Sequence, residues 1–459
     1  MYKRQGEYGG IGAYIMQRPE GGVQVTEPRD GTPSQKAGLR PGDMFLVING
    51  DSVTNADSKT VSNMLRGQAG TDVKVTVKRP YVTDSILDFT ITRSKIDINP
   101  VPYYGVERGD IGYIQLTTFN DKTYEKSRDA LKALKSNPAV KSIVLDLRGN
   151  GGGLLESAVQ VVSLFVPKGT EVLRTRGKGL QNERIYKTPY QPVDTDIPLA
   201  VLVNSGSASS AEIVTGALQD LDRAVIVGDR SFGKGLVQST RQLPYNGLLK
   251  VTIAKYYIPS GRCIQAIDYS HSQEGSVRAV PDSLISEFTT RAGRKVYDGG
   301  GVMPDIATDP EYISRFALTL YALGFIEDFG DEYTRRNPGR QIDIRTFSIT
   351  DKDYADFAEF MQDKKVPYES DTRRALKALK KAAEDDRFAD LKNKFEQVEA
   401  ELKDDTQTNL ETYRTQVVET INNDIVMRHG YQAGVIEHSL SGDLSLIHIS
   451  EPTRLALIS

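Results

Sequence analysis

Between residue 99 and about residue 308, short apolar runs alternate with helix-periodic stretches, and this alternation constrains the fold more than any other feature of the chain. GYIQL is followed by TYEKSRDALKALKS, SIVLDL by GLLESAVQVVSLF, and LAVLV by SAEIVTGALQDL, before AVIVG closes the series. An unbroken apolar run of this length reads as a strand buried on both faces, and parallel strands need the crossover that a helix supplies. The segment is therefore expected to build β–α–β units around a largely parallel sheet, an α/β core.

Composition changes on either side of this core. Residues 9–95 are rich in Gly, Val and Thr, with strand-like runs VQVTE, MFLVING, DVKVTVKR and ILDFTITR and one helical pattern, DSKTVSNMLRG, which predicts a small β domain with a helix. From about 310 to 443 the chain turns charged and helix-periodic, as in DTRRALKALKKAAEDDRFADLKNKFEQVEAELKDD, and reads as a helical block with solvated charged faces. The two ends stand apart. LSLIH at 444–448 is encoded by a DNA whose reverse complement, started at GTG, translates as MYKRQ, residues 1–5. That DNA resembles a transposase adapter used in sequencing libraries, whose continuation gives the ISEPTR of 449–454. Residues 1–5 and 444–459 are therefore expected to be adapter scars and are set aside from fold reasoning.

Charge and cysteine content narrow the chemistry. A formal charge of −3 leaves no basic footprint, so nucleic acid is not an expected partner. The single cysteine, Cys263, rules out an intrachain disulfide framework and a multi-thiolate metal site, and its Gly-Arg-Cys-Ile-Gln setting reads as structural. His271, His429 and His438 show no ligand-pair spacing, so neither a metal nor another cofactor is expected.

Two strand-to-helix turns can carry chemistry. Asn204–Ser210 joins LAVLV to an amphipathic helix, and such a turn can hold a serine exposed beside the free N–H groups of the helix start. LDLRGNGGGLLES repeats the arrangement, with glycines at 149 and 151–153 whose backbone can approach an anion closely. Taken singly, the first turn reads as well as a helix cap, and the second as a tight turn. A third segment, DRSFGKGLVQS at 229–239, carries a lysine without Walker A spacing. A lysine serves as a base where burial lowers its pKa from about 10.4 toward 7, and Phe232 and Leu236 are expected to supply apolar surroundings. The alternative is an exposed loop lysine.

LDLRGNGGGLL, NSGSASSAEIVTGALQD, GDRSFGKGLVQ and YYIPSGRCIQ, in this order and preceded by GGIGA, AGLRPGD and VING, resemble the carboxyl-terminal processing proteases of the tail-specific serine peptidase family. YYIPSGRCIQ followed by GRKVYDGGGVMPD resembles the version found in Bacteroidota. The resemblance implies a PDZ-like domain over 6–97, a crotonase-like (ClpP-like) serine peptidase core over 98–309 and a helical C-terminal domain over 310–443. It implies Ser209 as nucleophile, Lys234 as general base and Gln238 as the residue orienting that lysine, with oxyanion donors from Gly152, Gly153 and the N–H of Ser210. The family's Ser-Ala-Ser-Ala-Ser-Glu is here Ser-Ala-Ser-Ser-Ala-Glu, so Ser210 stands where alanine is usual, and Gly151 stands in place of a proline. Ser205, Ser207 and Ser210 are expected to be turn formers and caps.

Gly10, Ile11, Gly12 and Ala13 would receive a peptide C-terminus, with Val61 and Leu65 turned toward a pocket for its apolar side chain. Protein substrates with apolar C-termini and a cell-envelope or periplasmic location follow from the same resemblance, while the long charged helices of 310–443 are expected to be able to form a homodimer. Two other readings compete: a catalytically inactive PDZ adaptor that captures C-termini, and a crotonase-like acyl-CoA enzyme with similar oxyanion turns.

Overall fold

A computed structural model describes residues 7–82, 85–177, 183–268, 278–279, 285–308, 313–388, 391–402 and 405–443. The expected adapter scars and His271 lie outside these residues. The chain folds as two compact units, one built mainly from residues 97–310 and the other from residues 8–96 together with 311–441.

The first unit is organised by a six-stranded sheet in the order Ile306–Ala307, Val225–Gly228, Leu199–Val203, Ser142–Asp146, Ile111–Gln115, Tyr103–Glu107. Neighbours pair in parallel except the last two, which run antiparallel. Ser142–Asp146 and Leu199–Val203 are buried along their whole length, as unbroken apolar runs require. The helices Thr123–Lys135, Leu155–Val162 and Ser210–Asp220 supply the crossovers, and Leu131, Val161, Ile213 and Val214 join one core with Leu145 and Val201. Ser210–Asp220 has no exposed face: all of its residues are buried. A second, antiparallel sheet runs Glu183–Lys187, Glu171–Arg176, Leu248–Tyr257, Leu236–Gln242. Its last two strands form a hairpin with exposed Leu248, Leu249, Val251 and Ile253.

In the second unit, strands Ala13–Gln17, Val23–Pro28, Met44–Ile48, Asp72–Lys78 and Ile86–Thr92 form a sheet closed by helix Ser58–Leu65. Val61 and Leu65 are buried in its core among Val23, Phe45 and Val75. The helical part carries a core beneath its charged faces. Phe316, Phe329, Phe357, Ile421 and Ile425 form its core, and it also buries Glu327 and most of Arg428. Arg428 pairs with Asp424 and Asp331, both on the same unit.

Candidate active site

The serine turn leaves strand Leu199–Val203 and enters helix Ser210–Asp220 at Ser209, whose backbone is strained, with φ 58° and ψ −114°. What holds it there is Glu212, three residues on and fully buried. The Ser209 N–H donates to Glu212 Oε2 at 2.8 Å, the N-cap half of a Ser-x-x-Glu arrangement. The same carboxylate accepts from the Lys234 N–H (2.8 Å), the Gly233 N–H (2.6 Å) and the Ser231 hydroxyl (2.6 Å). Burial pushes the Glu212 carboxyl up, and these donors pull it back. One buried carboxylate thus ties the Ser209 N–H to that of Lys234.

Tyr256 closes the other side. Its hydroxyl lies against the carbonyl oxygens of Lys234 and, at 3.3 Å, of Ser209, and burial drives its ionisation well above the ordinary range. Phe232 N–H donates to Ser207 carbonyl (2.9 Å) and Asp229 N–H to Val203 carbonyl (3.1 Å), fastening the lysine segment along the serine turn.

The glycine turn lies against the serine turn. A Cβ at Gly152, where φ is +90°, would stand 2.7 Å from the Ser209 Cβ and 2.9 Å from the Ser210 nitrogen, so only glycine fits there. A Cβ at Gly153 would meet the Phe119 carbonyl oxygen at 2.0 Å. Ser210 Oγ donates to the Gly153 carbonyl (3.1 Å) and Ala208 N–H to the Asn150 carbonyl (2.9 Å), so the two turns are stitched together. Among the described residues the N–H groups of Gly153 and Ser210 donate to no partner, whereas that of Gly152 is spent on Asn150 Oδ1 at 2.9 Å. The expected pair of glycine donors is therefore reduced to one, because the Asn150 side chain folds back into its own turn.

The remaining expected residues divide. Ser207 is fully buried, its hydroxyl donating to the Leu147 carbonyl (2.8 Å), while Ser205 is exposed. Lys234 is partly exposed, and no hydrogen bond joins its ammonium to the Ser209 hydroxyl or to Gln238 among the described residues. The apolar wall expected from Phe232 is missing, since that ring is 51 % exposed. Gln238 sits at a bulge in strand Leu236–Gln242. Cys263 is half-buried and burial pushes its thiol up, the behaviour of an unactivated cysteine. In the second unit Ile11 is buried, Gly12 has φ +79°, and the Gly12 carbonyl accepts from the Arg29 N–H and the Thr32 and Ser34 hydroxyls.

Glu212 and Tyr256 are the residues that sequence reasoning missed. Glu212 was legible as the fourth residue of a Ser-x-x-Glu capping box before an apolar helix. Tyr256 is 47 residues from Ser209 on a strand whose spacing gives no sign of it.

Known proteins show the same parts. Residues 110–271 match the description "Peptidase family S41", residues 9–92 "PDZ domain", and residues 316–448 "Probable PDZ-protease, C-terminal helical domain". The chain belongs to peptidase family S41. It is 40 % identical over 266 residues to the carboxy-terminal-processing protease of Bartonella bacilliformis, covering 57 % of this chain and 60 % of that protein. It is 35 % identical over 274 residues to the chloroplastic C-terminal processing peptidase of Tetradesmus obliquus, covering 57 % and 58 %. Against a probable CtpA-like serine protease of Staphylococcus aureus it is 34 % identical over 354 residues, covering 76 % and 66 %. The chain spans about three fifths of the length of the first two relatives. The S41 domain is thus flanked by a PDZ domain and a helical C-terminal region in a mixed α/β chain.

Proposed function

We propose that this S41 chain is a serine endopeptidase that cuts flexible polypeptides held by an apolar C-terminus on its PDZ domain, with Ser209 and Lys234 as a dyad on a crotonase-like core. The observation that carries the reading is the Glu212 carboxylate, which gathers the N–H groups of Ser209 and Lys234 onto one point beside two unspent donors, Gly153 and Ser210. In the reaction, neutral Lys234 accepts the Ser209 proton as Oγ attacks the peptide carbonyl, and the oxyanion receives the Gly153 and Ser210 N–H groups. The lysine then protonates the leaving amine, and water releases the acyl-enzyme in a second round. Because Phe232 leaves the lysine partly exposed, the dry surroundings that favour a neutral amine come from the bound substrate itself. Gln238 is assigned to orient the lysine once substrate is in place, and Gly10–Ala13 to receive the substrate carboxylate.

The lack of a direct Ser209–Lys234 bond favours one competing reading, an adaptor that binds C-termini without cutting. Incubation with an unfolded protein bearing an apolar C-terminus separates the two. Wild type is expected to degrade it and Ser209→Ala and Lys234→Ala to leave it intact while still binding; equal survival with all three proteins sinks the peptidase reading. A cell-envelope location belongs to the same proposal, and among the described residues no helix is long and apolar enough to cross a membrane.

A further inference from the structure

The second unit contains a cavity of about 630 Å³ between the PDZ strands and the helices of the C-terminal region, with no part in the chemistry above. Its lining concentrates polar atoms that have nothing to bond. Among the described residues, buried side-chain atoms without a hydrogen-bond partner include Glu27 Oε1, both carboxylate oxygens of Glu327, Asn423 Oδ1 and Gln24 Nε2, and all four side chains line this one cavity. Glu327 is 7 % exposed, and neither it nor Glu27 forms an ion pair among the described residues. The cations nearest Glu327 are committed elsewhere, Arg428 to Asp424, Asp331 and the backbone carbonyl of Glu327, and Arg18 to Glu20 and Asp328, while Arg29, which faces Glu27, lies over the Tyr14 ring and forms no ion pair with it among the described residues. Buried polar groups in folded proteins are nearly always bonded, so a group of orphans in one cavity points to a ligand.

The orphan atoms define its chemistry. Four are acceptors, two of them belonging to one carboxylate, against a single donor. A ligand rich in N–H donors and carrying positive charge satisfies them, and an alkyl ammonium offers three donors and no acceptor. The described acidic groups do not cluster in the manner of metal ligands. Other parts of the lining are apolar, with Tyr14, Ile313, Leu318 and Tyr321 large and exposed, a surface suited to an aliphatic stem. We infer that this cavity is a binding site for a primary alkyl ammonium, either a lysine side chain of a polypeptide or a free aliphatic amine, with Glu327 and Glu27 as its anionic partners.

Calorimetric titration of the full chain tests this with three probes: 1,5-diaminopentane, N-acetyl-lysine amide and the uncharged N-acetyl-norleucine amide. The amine is expected to bind saturably and norleucine amide not at all; binding of lysine amide marks a polypeptide source, and binding of the amine alone marks a free one. Glu327→Gln and Glu27→Gln are each expected to weaken binding at least 10-fold, with melting temperatures reporting that both variants remain folded. Burial, reinforced by Asp424, pushes Glu327 up to about 7, so amine binding at pH 6.5 is expected to ionise it and release a proton, seen as a heat that varies with buffer ionisation enthalpy. Absence of amine binding to wild type, equal binding of norleucine amide, or undiminished binding to both variants would overturn the assignment. Because the readout is binding, it stands or falls separately from proteolysis.

Discussion

Glu212 and Glu327 are both buried glutamates near the start of a helix, and they are handled in opposite ways. Glu212 meets four donors, three backbone N–H groups and a hydroxyl, drawn from two segments some twenty residues apart. Glu327 meets none on either oxygen. The first carboxylate has its charge spread over fixed dipoles and works as a structural rivet between the Ser209 turn and the Lys234 segment. The second has its desolvation offset only in part, by its own N–H and the more distant Arg18 and Arg428, and the fold tolerates the remainder by holding it protonated or by taking a cation from outside. Equal burial therefore says little about role until the partners are counted.

The largest expected effect comes from breaking the satisfied side. Glu212→Ala strands four donors, two of them buried, and is expected to lower stability by about 3 kcal/mol or more and to abolish the proposed peptidase activity, read as the urea midpoint and the rate on an unfolded substrate. A variant of near wild-type activity would show that the carboxylate does not position the proposed dyad. The next effect has the opposite sign. The Glu327 pKa is raised in the folded chain, so the folded state holds the proton more tightly than the unfolded one. Its contribution to stability is fully present below the unfolded value of about 4.5 and is lost as pH rises through about 7. Glu327→Gln is accordingly expected to be neutral at pH 4.5 and more stable than wild type at pH 8, by up to about 3 kcal/mol, in melting curves at the two pH values. Equal melting temperatures at pH 8 would mean that the carboxylate finds partners in solution.

Smaller effects sharpen the picture around Ser209 and Lys234. Tyr256→Phe removes the hydroxyl shared by the Ser209 and Lys234 carbonyls and is expected to cost about 1–2 kcal/mol of stability and about tenfold in kcat, with KM little changed. Ser210→Ala, which restores the residue usual in the family, deletes only the 3.1 Å bond to the Gly153 carbonyl. It is expected to change stability by about 1 kcal/mol or less and kcat by a few fold. A large loss of kcat in Ser210→Ala would show that its side chain, as well as its N–H, shapes the oxyanion turn.

What could be read from the sequence follows the range of the forces involved. Buried parallel strands and their crossover helices are written as local apolar periods, so LDL, LAVLV and the helix after Ser209 were visible in the chain itself. So was Glu212 in principle, because capping is a contact three residues long. The fate of individual donors was not. Asn150 taking the Gly152 N–H depends on how one side chain folds back, and Tyr256 reaches the site through strand pairing that no local pattern records. The exposure of Phe232 and the burial of Glu327 ran against their residue types for the same reason: neighbours distant in sequence decide both.

The rivet at Glu212 also bears on how such a chain survives its own synthesis. Ser209 is tied to Glu212 within its own turn, whereas Lys234 joins the same carboxylate only when the loop at 231–235 docks on a helix that the ribosome releases earlier. A peptidase aimed at unfolded polypeptide is surrounded during biogenesis by unfolded polypeptide of its own. On the proposed reading, a nucleophile assembled from two separated segments is inert until the core around it has closed, so that folding itself serves as the safety catch.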